Sequence, residues 1–170
     1  MCLKLLPRPD NCQRPENAAN SGAVSSRKTA HRMTTAAAEG FTALFRSSPF
    51  LDRAGPFYSK DKGAALSIGL RVLEHHLNAR GLAHGGVLLT MADIALGYAM
   101  ATSENPPVSA VTSQLSADFA GSAKLGDWVQ SRVDIQKIGR TLAFANVYLL
   151  VGDVRIVRAS GVFAVTTPGG

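Results

Sequence analysis

Two glycines and an aspartate in one apolar stretch are residue types that could act on a ligand together. Gly85 and Gly86 precede a run of leucine, methionine and alanine, and Asp93 lies inside that run. In a helix the first N–H groups lack intrahelical partners and favour a developing oxyanion, and glycine lets a ligand approach closely. A buried carboxylate costs several kcal/mol unless it is paired, protonated or used. The pattern indicates a site that combines an amide donor with an acid.

The spacing of these groups predicts that two copies of the chain build the site. Gly85 and Asp93 are separated by roughly 12 Å along a helix with a rise of about 1.5 Å per residue, too far to serve one carbonyl. Small and polar residues also share one helical face within about 40°, which would let a second backbone approach; they are Gly86, Thr90, Asp93 and Gly97. If two such helices pair antiparallel about a two-fold axis, Gly85 of one lies near Asp93 of the other. We therefore expect a homodimer with two equivalent sites.

The periodicity of the chain predicts an α+β fold in which an antiparallel sheet wraps around one long central helix. Residues 85–101 favour helix, since they are long, rich in leucine and alanine, and apolar on nearly every side. Period-two patterns predict a strand from Leu66 to Val72 and four further strands after Pro107, arranged as a meander, with a hairpin turn at 152–153. In the first of these four strands, Val111, Ser113, Leu115, Ala117 and Phe119 should share a face, leaving Thr112 on the other. The spacing of apolar residues at 35–47 predicts an amphipathic helix that ends before Pro49.

Charge and cysteine usage divide the chain and exclude several functions. Of the net charge of +6, residues 1–32 carry +4, and both cysteines, Cys2 and Cys12, lie there. We expect a flexible basic tail at 1–34, a folded domain at 35–167, and a cytoplasmic location. The domain lacks the charge for a nucleic-acid face and the thiols for a cysteine nucleophile or thiolate metal site. A membrane span, a metal and a cofactor are not expected, and His75 and His76 would point to opposite faces if they lay in a strand.

Several segments together resemble the hotdog-fold acyl-CoA thioesterases of the PaaI (phenylacetic acid degradation) type. The run NARGLAHGG at 78–86 continues through VLLTMA to Asp93, with AKLGD at 123–127 and KIGRT at 137–141 further along. The resemblance spans about residues 40–167. It implies hydrolysis of an acyl-CoA thioester to free acid and coenzyme A, by a homodimer or homotetramer.

The resemblance also implies roles for individual residues. Gly85 would donate its N–H to the thioester carbonyl, Asp93 would be nucleophile or general base, and Thr112 would help to hold the attacking water. An alignment shifted by one residue would give this last role to Ser113. Asn78 and His84 would shape the loop and orient the acyl group, and Gly86 is a further candidate for binding the substrate. Apart from the resemblance, the positive charges of Lys137 and Arg140, with Arg80 and Lys124, could contact the phosphates of coenzyme A.

Each of these residues also has a structural interpretation. Asp93 could be bonded to Thr90, Tyr98 or backbone, Asn78 could form a turn, and His84 could cap the helix. The basic residues could be solvated surface charges, and Thr112 an ordinary strand residue. At the level of the molecule, the alternatives are a non-catalytic protein that binds an acyl or aryl ligand or mediates dimerisation, an enoyl-CoA hydratase, and a protein whose basic tail binds nucleic acid. The hydratase is disfavoured because His84 and Asp93 have the wrong order and spacing.

Overall fold

The architecture is a seven-stranded antiparallel sheet packed against one long helix. The computed structural model describes residues 37–104 and 108–166. In chain order the described elements are β1 Thr42–Ala43, α1 Pro49–Ala54, β2 Phe57–Lys60, β3 Ser67–Arg71, α2 Gly85–Ser103, β4 Ser109–Phe119, β5 Trp128–Ile138, β6 Leu142–Val151 and β7 Val154–Thr166, with short 3-10 helices at Gly63–Ala65 and Glu74–His76. The sheet order is β1-β2-β3-β5-β6-β7-β4. The predicted fold class is confirmed.

Helix α2 forms the centre of the core, as predicted. Eight of its side chains are buried, among them Met91, Leu96 and Met100, and they pack against the inward residues of β3, β5, β6 and β7. Its length and composition would also suit a membrane span. Packing against the sheet accounts for the apolar side chains, since burial in a protein core and burial in lipid favour the same residue types.

The order of the strands differs from the predicted meander. Strands β5, β6 and β7 are consecutive neighbours, and Gly152 at the β6–β7 turn has a φ of +56°, which favours glycine. Strand β4, however, pairs with β7 at the edge, and β3 takes the place beside β5. Alternation predicts that a segment is a strand but not which strand it will pair with, so the four-strand meander is wrong.

A β-bulge in β4 overturns the predicted alternation along that strand. The register against β7 shifts between Thr112 and Gln114, and an extra residue at a bulge exchanges the two faces of a strand. Val111 is consequently 59% exposed, whereas Ala110 and Leu115 both pack on the core. Val111 and Leu115 therefore do not share a face.

The predicted helix at 35–47 is wrong in the part that the structure describes, which begins at residue 37. Residues Thr42–Ala43 form β1 instead, and the helix α1 starts where the predicted one was to end. Ser48 caps α1 by accepting a hydrogen bond from Leu51 N–H, and Pro49 is the first helical residue. Proline fits that position because its missing N–H is not needed in the first turn. The predicted tail at 1–34 lies outside the described residues, so the division at residue 35 stays a prediction.

Candidate active site

Asp93 and Thr112 meet in a cavity of about 550 Å³ between α2, β4 and the segment that leads into α1. Asp93 lies mid-helix and is half-buried. The Thr112 hydroxyl of β4 donates a hydrogen bond of 2.8 Å to Asp93 Oδ1. The second carboxylate oxygen remains available to a ligand, so the pair can present a positioned acid to whatever enters the cavity.

The structural partners that the sequence suggested for Asp93 are engaged elsewhere. Thr90 donates to the Gly86 carbonyl oxygen at 3.0 Å, and the Tyr98 hydroxyl donates to the Arg46 carbonyl oxygen at 3.3 Å. Both side chains line the same cavity as Asp93. The acid is therefore held by a strand residue 19 positions along the chain, a contact that only the tertiary structure creates.

Tyr98 remains a neutral hydrogen-bond donor on the wall of this cavity. Burial raises the pKa of its hydroxyl; the Arg46 guanidinium opposes that rise and the Asp93 carboxylate adds to it. A phenol with a raised pKa stays protonated at neutral pH. It therefore adds no second negative charge beside Asp93.

The N-terminus of α2 leaves one amide unpartnered within the described structure. The His84 carbonyl oxygen accepts from Val87 N–H at 3.1 Å and from Leu88 N–H at 3.4 Å, and His84 Nδ1 accepts from Gly86 N–H at 2.9 Å. Among the first four N–H groups of the helix, only that of Gly85 makes no hydrogen bond. This donor lies at the positive end of the helix dipole, where it suits a developing oxyanion.

Gly86 gives the His84 ring room to cap the helix. A Cβ atom at residue 86 would lie 3.0 Å from His84 Nδ1, whereas one at Gly85 would meet only the Phe119 ring, at 3.4 Å. Because His84 Nδ1 accepts a hydrogen bond, the neutral ring carries its proton on Nε2. The structure thus gives His84 the capping role that the sequence left open, and it does not test contact with a substrate.

Asn78 organises the loop that precedes α2. Its Oδ1 accepts from Arg80 N–H at 2.8 Å and from Leu82 N–H at 3.3 Å, while its own N–H donates to the Leu82 carbonyl oxygen. These bonds make Asn78 a turn-forming residue. A substrate-binding role for its amide NH₂ stays a prediction.

His75 and His76 do not occupy a strand, contrary to the premise of the sequence argument. They lie in the 3-10 helix Glu74–His76, with Nε2 of each within 3.1 Å of the Gly55 carbonyl oxygen. Burial lowers the pKa of His76, and the hydrogen bond to Gly55 partly offsets this. His76 Nδ1 accepts from Leu73 N–H, and its carbonyl oxygen accepts from His84 N–H. His76 thus joins the end of α1, through its ring, to the loop that carries the Gly85 amide, through its backbone carbonyl.

The basic residues predicted to contact coenzyme A lie outside the cavity. Lys137 is exposed near the end of β5, Arg140 is exposed in the β5–β6 connection, and Arg80 and Lys124 are exposed on loops. None of the four lines the cavity around Asp93. Their contact with phosphates stays a prediction, and within one chain the structure does not bring them to Asp93.

One wall of the cavity consists of residues that were not predicted from the sequence. Arg46, Ser48, Phe50 and Leu51 line it. Arg46 lies at the end of the predicted helix 35–47, and the other three follow it, in a segment for which no element was predicted. A signal was present, since serine followed by proline is a common start of a helix. Among the described residues, no group of three or more His, Cys, Asp or Glu side chains is arranged to hold a metal ion.

Comparisons with known proteins agree with this architecture. A family model described as the thioesterase superfamily matches residues 80–158. The chain is 48% identical over 126 residues to the candidate esterase PA0474 of Pseudomonas aeruginosa, covering 74% of this chain and 94% of that protein. It is 35% identical over 81 residues to acyl-coenzyme A thioesterase 13 of Mus musculus, covering 47% of this chain and 56% of the mouse protein.

A solved structure shares the fold. The Escherichia coli PaaI protein of the phenylacetic acid degradation operon superposes with a TM-score of 0.65 at 18% identity, covering 71% of this chain and 86% of that protein. At this identity the likeness concerns the fold alone. From the strand order, the central helix and these matches together, the chain belongs to the thioesterase superfamily and has its hotdog fold.

Proposed function

We propose that the protein is an acyl-CoA thioesterase whose active site is shared between two copies of the chain. The observation that carries the proposal is the Asp93 carboxylate held at 2.8 Å by Thr112 in an open cavity. The similarity to a protein named acyl-coenzyme A thioesterase supports this substrate class. The region similar to the mouse thioesterase covers 47% of this chain, so we state the activity as a proposal.

The proposed chemistry divides between an amide and an acid. Gly85 N–H of one copy donates to the thioester carbonyl oxygen and stabilises the negative charge that develops there. The partner subunit's Asp93 either attacks the carbonyl carbon, giving an anhydride that water then hydrolyses, or takes a proton from an attacking water. In both routes the C–S bond breaks and coenzyme A leaves as a thiolate, which takes up a proton released by the water. The acyl group gains the oxygen of that water and is released as a carboxylic acid.

Strand β4 supports the proposed dimer. It is 11 residues long, stands at the end of the sheet order, and pairs only with β7 among the described strands. A long free edge exposes unpaired N–H and C=O groups, which invites pairing with another strand. Pairing with β4 of a second copy would continue the sheet and set two α2 helices side by side, with Asp93 and Thr112 at the junction.

Turnover by an Asp93→Asn variant tests the proposal. With a panel of acyl-CoA thioesters, we expect the variant to lose at least roughly 10²-fold in kcat, because asparagine can neither attack nor accept the proton. The control is Asp153→Asn, which makes the same change at an exposed carboxylate in the β6–β7 turn, away from the cavity and from the free edge of β4. If the wild type hydrolyses none of the panel, the protein is a binding or dimerisation module instead. If the wild type is active and Asp93→Asn retains its rate, Asp93 is not the catalytic acid and the proposed chemistry is wrong.

A further inference from the structure

The cavity continues along α2 beyond Asp93, where apolar residues line it beside the Tyr98 hydroxyl, which is bonded to the Arg46 carbonyl oxygen. Gly97 and Ala101, one and two helical turns further on, line it together with Ile94, Leu115 and Phe163. This extension is about 12 Å long from Asp93 to Ala101 at about 1.5 Å per residue. Thioester chemistry needs no apolar channel of this length, so the extension can contribute to the choice of substrate.

Packing does not account for glycine at residue 97. A glycine inside a helix lowers helix stability relative to alanine, yet a Cβ at residue 97 would find its nearest neighbour, Phe163 Cε1, at an ordinary 3.5 Å. The contrast is Gly161, where a Cβ would lie 2.6 Å from the Phe163 ring. Gly161 is required by the core, whereas Gly97 keeps space open in the cavity.

The proposed dimer leaves this space open as well. If Gly85 of one helix faces the partner subunit's Asp93, the two-fold axis passes close to Leu89, midway between them. The partner helix then ends opposite Asp93, because α2 begins at Gly85. Gly97 lies roughly 12 Å from the axis, beyond the end of the partner helix.

We infer that Gly97 determines acyl-group specificity, and that the apolar extension from Gly97 to Ala101 receives a medium-chain acyl group. The inference rests on the proposed function and makes it more specific. The apolar residues that line this extension favour an alkyl chain over the amide-bearing pantetheine arm, because the arm's polar groups would gain fewer partners there than they have in water. The thioester carbon would then lie at Asp93, with the chain directed towards Ala101.

A chain-length comparison tests the inference. In the wild type we expect a higher kcat/KM for decanoyl-CoA than for acetyl-CoA. Gly97→Leu should lower the ratio of the two values by roughly tenfold or more, since each excluded methylene removes a favourable contact. Ser103→Leu adds the same bulk at the exposed end of α2, outside the cavity, and should leave the ratio unaltered. An equal loss for both substrates in Gly97→Leu would assign the extension to the pantetheine arm and overturn the inference.

Binding separates this inference from the proposed function. Titration calorimetry with decanoyl-CoA and acetyl-CoA is carried out in the Asp93→Asn background, with and without Gly97→Leu, so no turnover is needed. Tighter binding of decanoyl-CoA that disappears with Gly97→Leu supports the inference even if the wild type hydrolyses nothing. Should Gly97→Leu not fold, Ala101→Leu blocks the same extension one turn further on. If Asp93→Asn binds decanoyl-CoA and acetyl-CoA with equal affinity, the inference about Gly97 is overturned.

Discussion

The Gly85 amide can be removed without disturbing the backbone around it. Proline fits the first position of a helix, and His84 before it has φ −65° and ψ 137°, a conformation that proline allows in the preceding residue. Gly85→Pro should lower kcat with an acyl-CoA substrate by about 10²-fold or more, because it deletes the oxyanion donor. Gly85→Ala keeps the N–H, so it should lower kcat much less than Gly85→Pro does. Steady-state kinetics and thermal unfolding of both variants check this, and equal kcat values would remove Gly85 from the mechanism.

The buried His76 ring predicts how stability depends on pH. Burial lowers its pKa in the folded state from the ordinary 6.5, so the unfolded chain takes up a proton first as the pH falls. The free energy of unfolding should therefore decrease below about pH 6.5, with the loss complete below the folded-state pKa. Thermal unfolding across this range should show a shallower decrease in His76→Gln than in the wild type. Identical pH profiles would show that His76 is not the group responsible.

The elements around α2 predict opposite effects for two glycine-to-alanine changes. Gly97→Ala should raise the free energy of unfolding by about 0.5–1 kcal/mol, since alanine is the better helix former and the added Cβ fits. Gly161→Ala in β7 should lower it by about 1–3 kcal/mol, because the added methyl overlaps the Phe163 ring. Chemical denaturation measures both. Destabilisation by Gly97→Ala would mean that residue 97 is tightly packed after all.

Local sequence signals predicted most elements but not every boundary. The long apolar segment predicted α2. Gly152–Asp153, between two segments in which apolar and polar residues alternate, predicted the β6–β7 hairpin. Pro49 predicted the end of a helix at 35–47, whereas Ser48 and Pro49 form the beginning of α1. The bulge near Thr112 escaped prediction because it depends on pairing with β7, and strand partners are chosen by tertiary packing.

The dimeric arrangement predicts complementation between two inactive variants. Asp93→Asn and Gly85→Pro should each be inactive alone. If subunits exchange randomly in an equal mixture, half the dimers are mixed, and each has one site with both groups intact, giving about a quarter of the wild-type activity. Co-refolding of the two variants followed by an acyl-CoA assay measures this recovery. No recovery, in a mixture shown to contain mixed dimers, would place both groups in one chain's site.

The sequence alone determined the α+β class, the central helix and the two candidate groups Gly85 and Asp93, because helix length, strand alternation and glycine placement are local properties. It also predicted Thr112 as a possible partner of the acid, through the resemblance to a family. Only the tertiary structure decided that Thr112 bonds Asp93, that β4 ends the sheet, and that the segment at 46–51 walls the cavity. These contacts join residues far apart in the chain, and their geometry follows from how the sheet packs on α2.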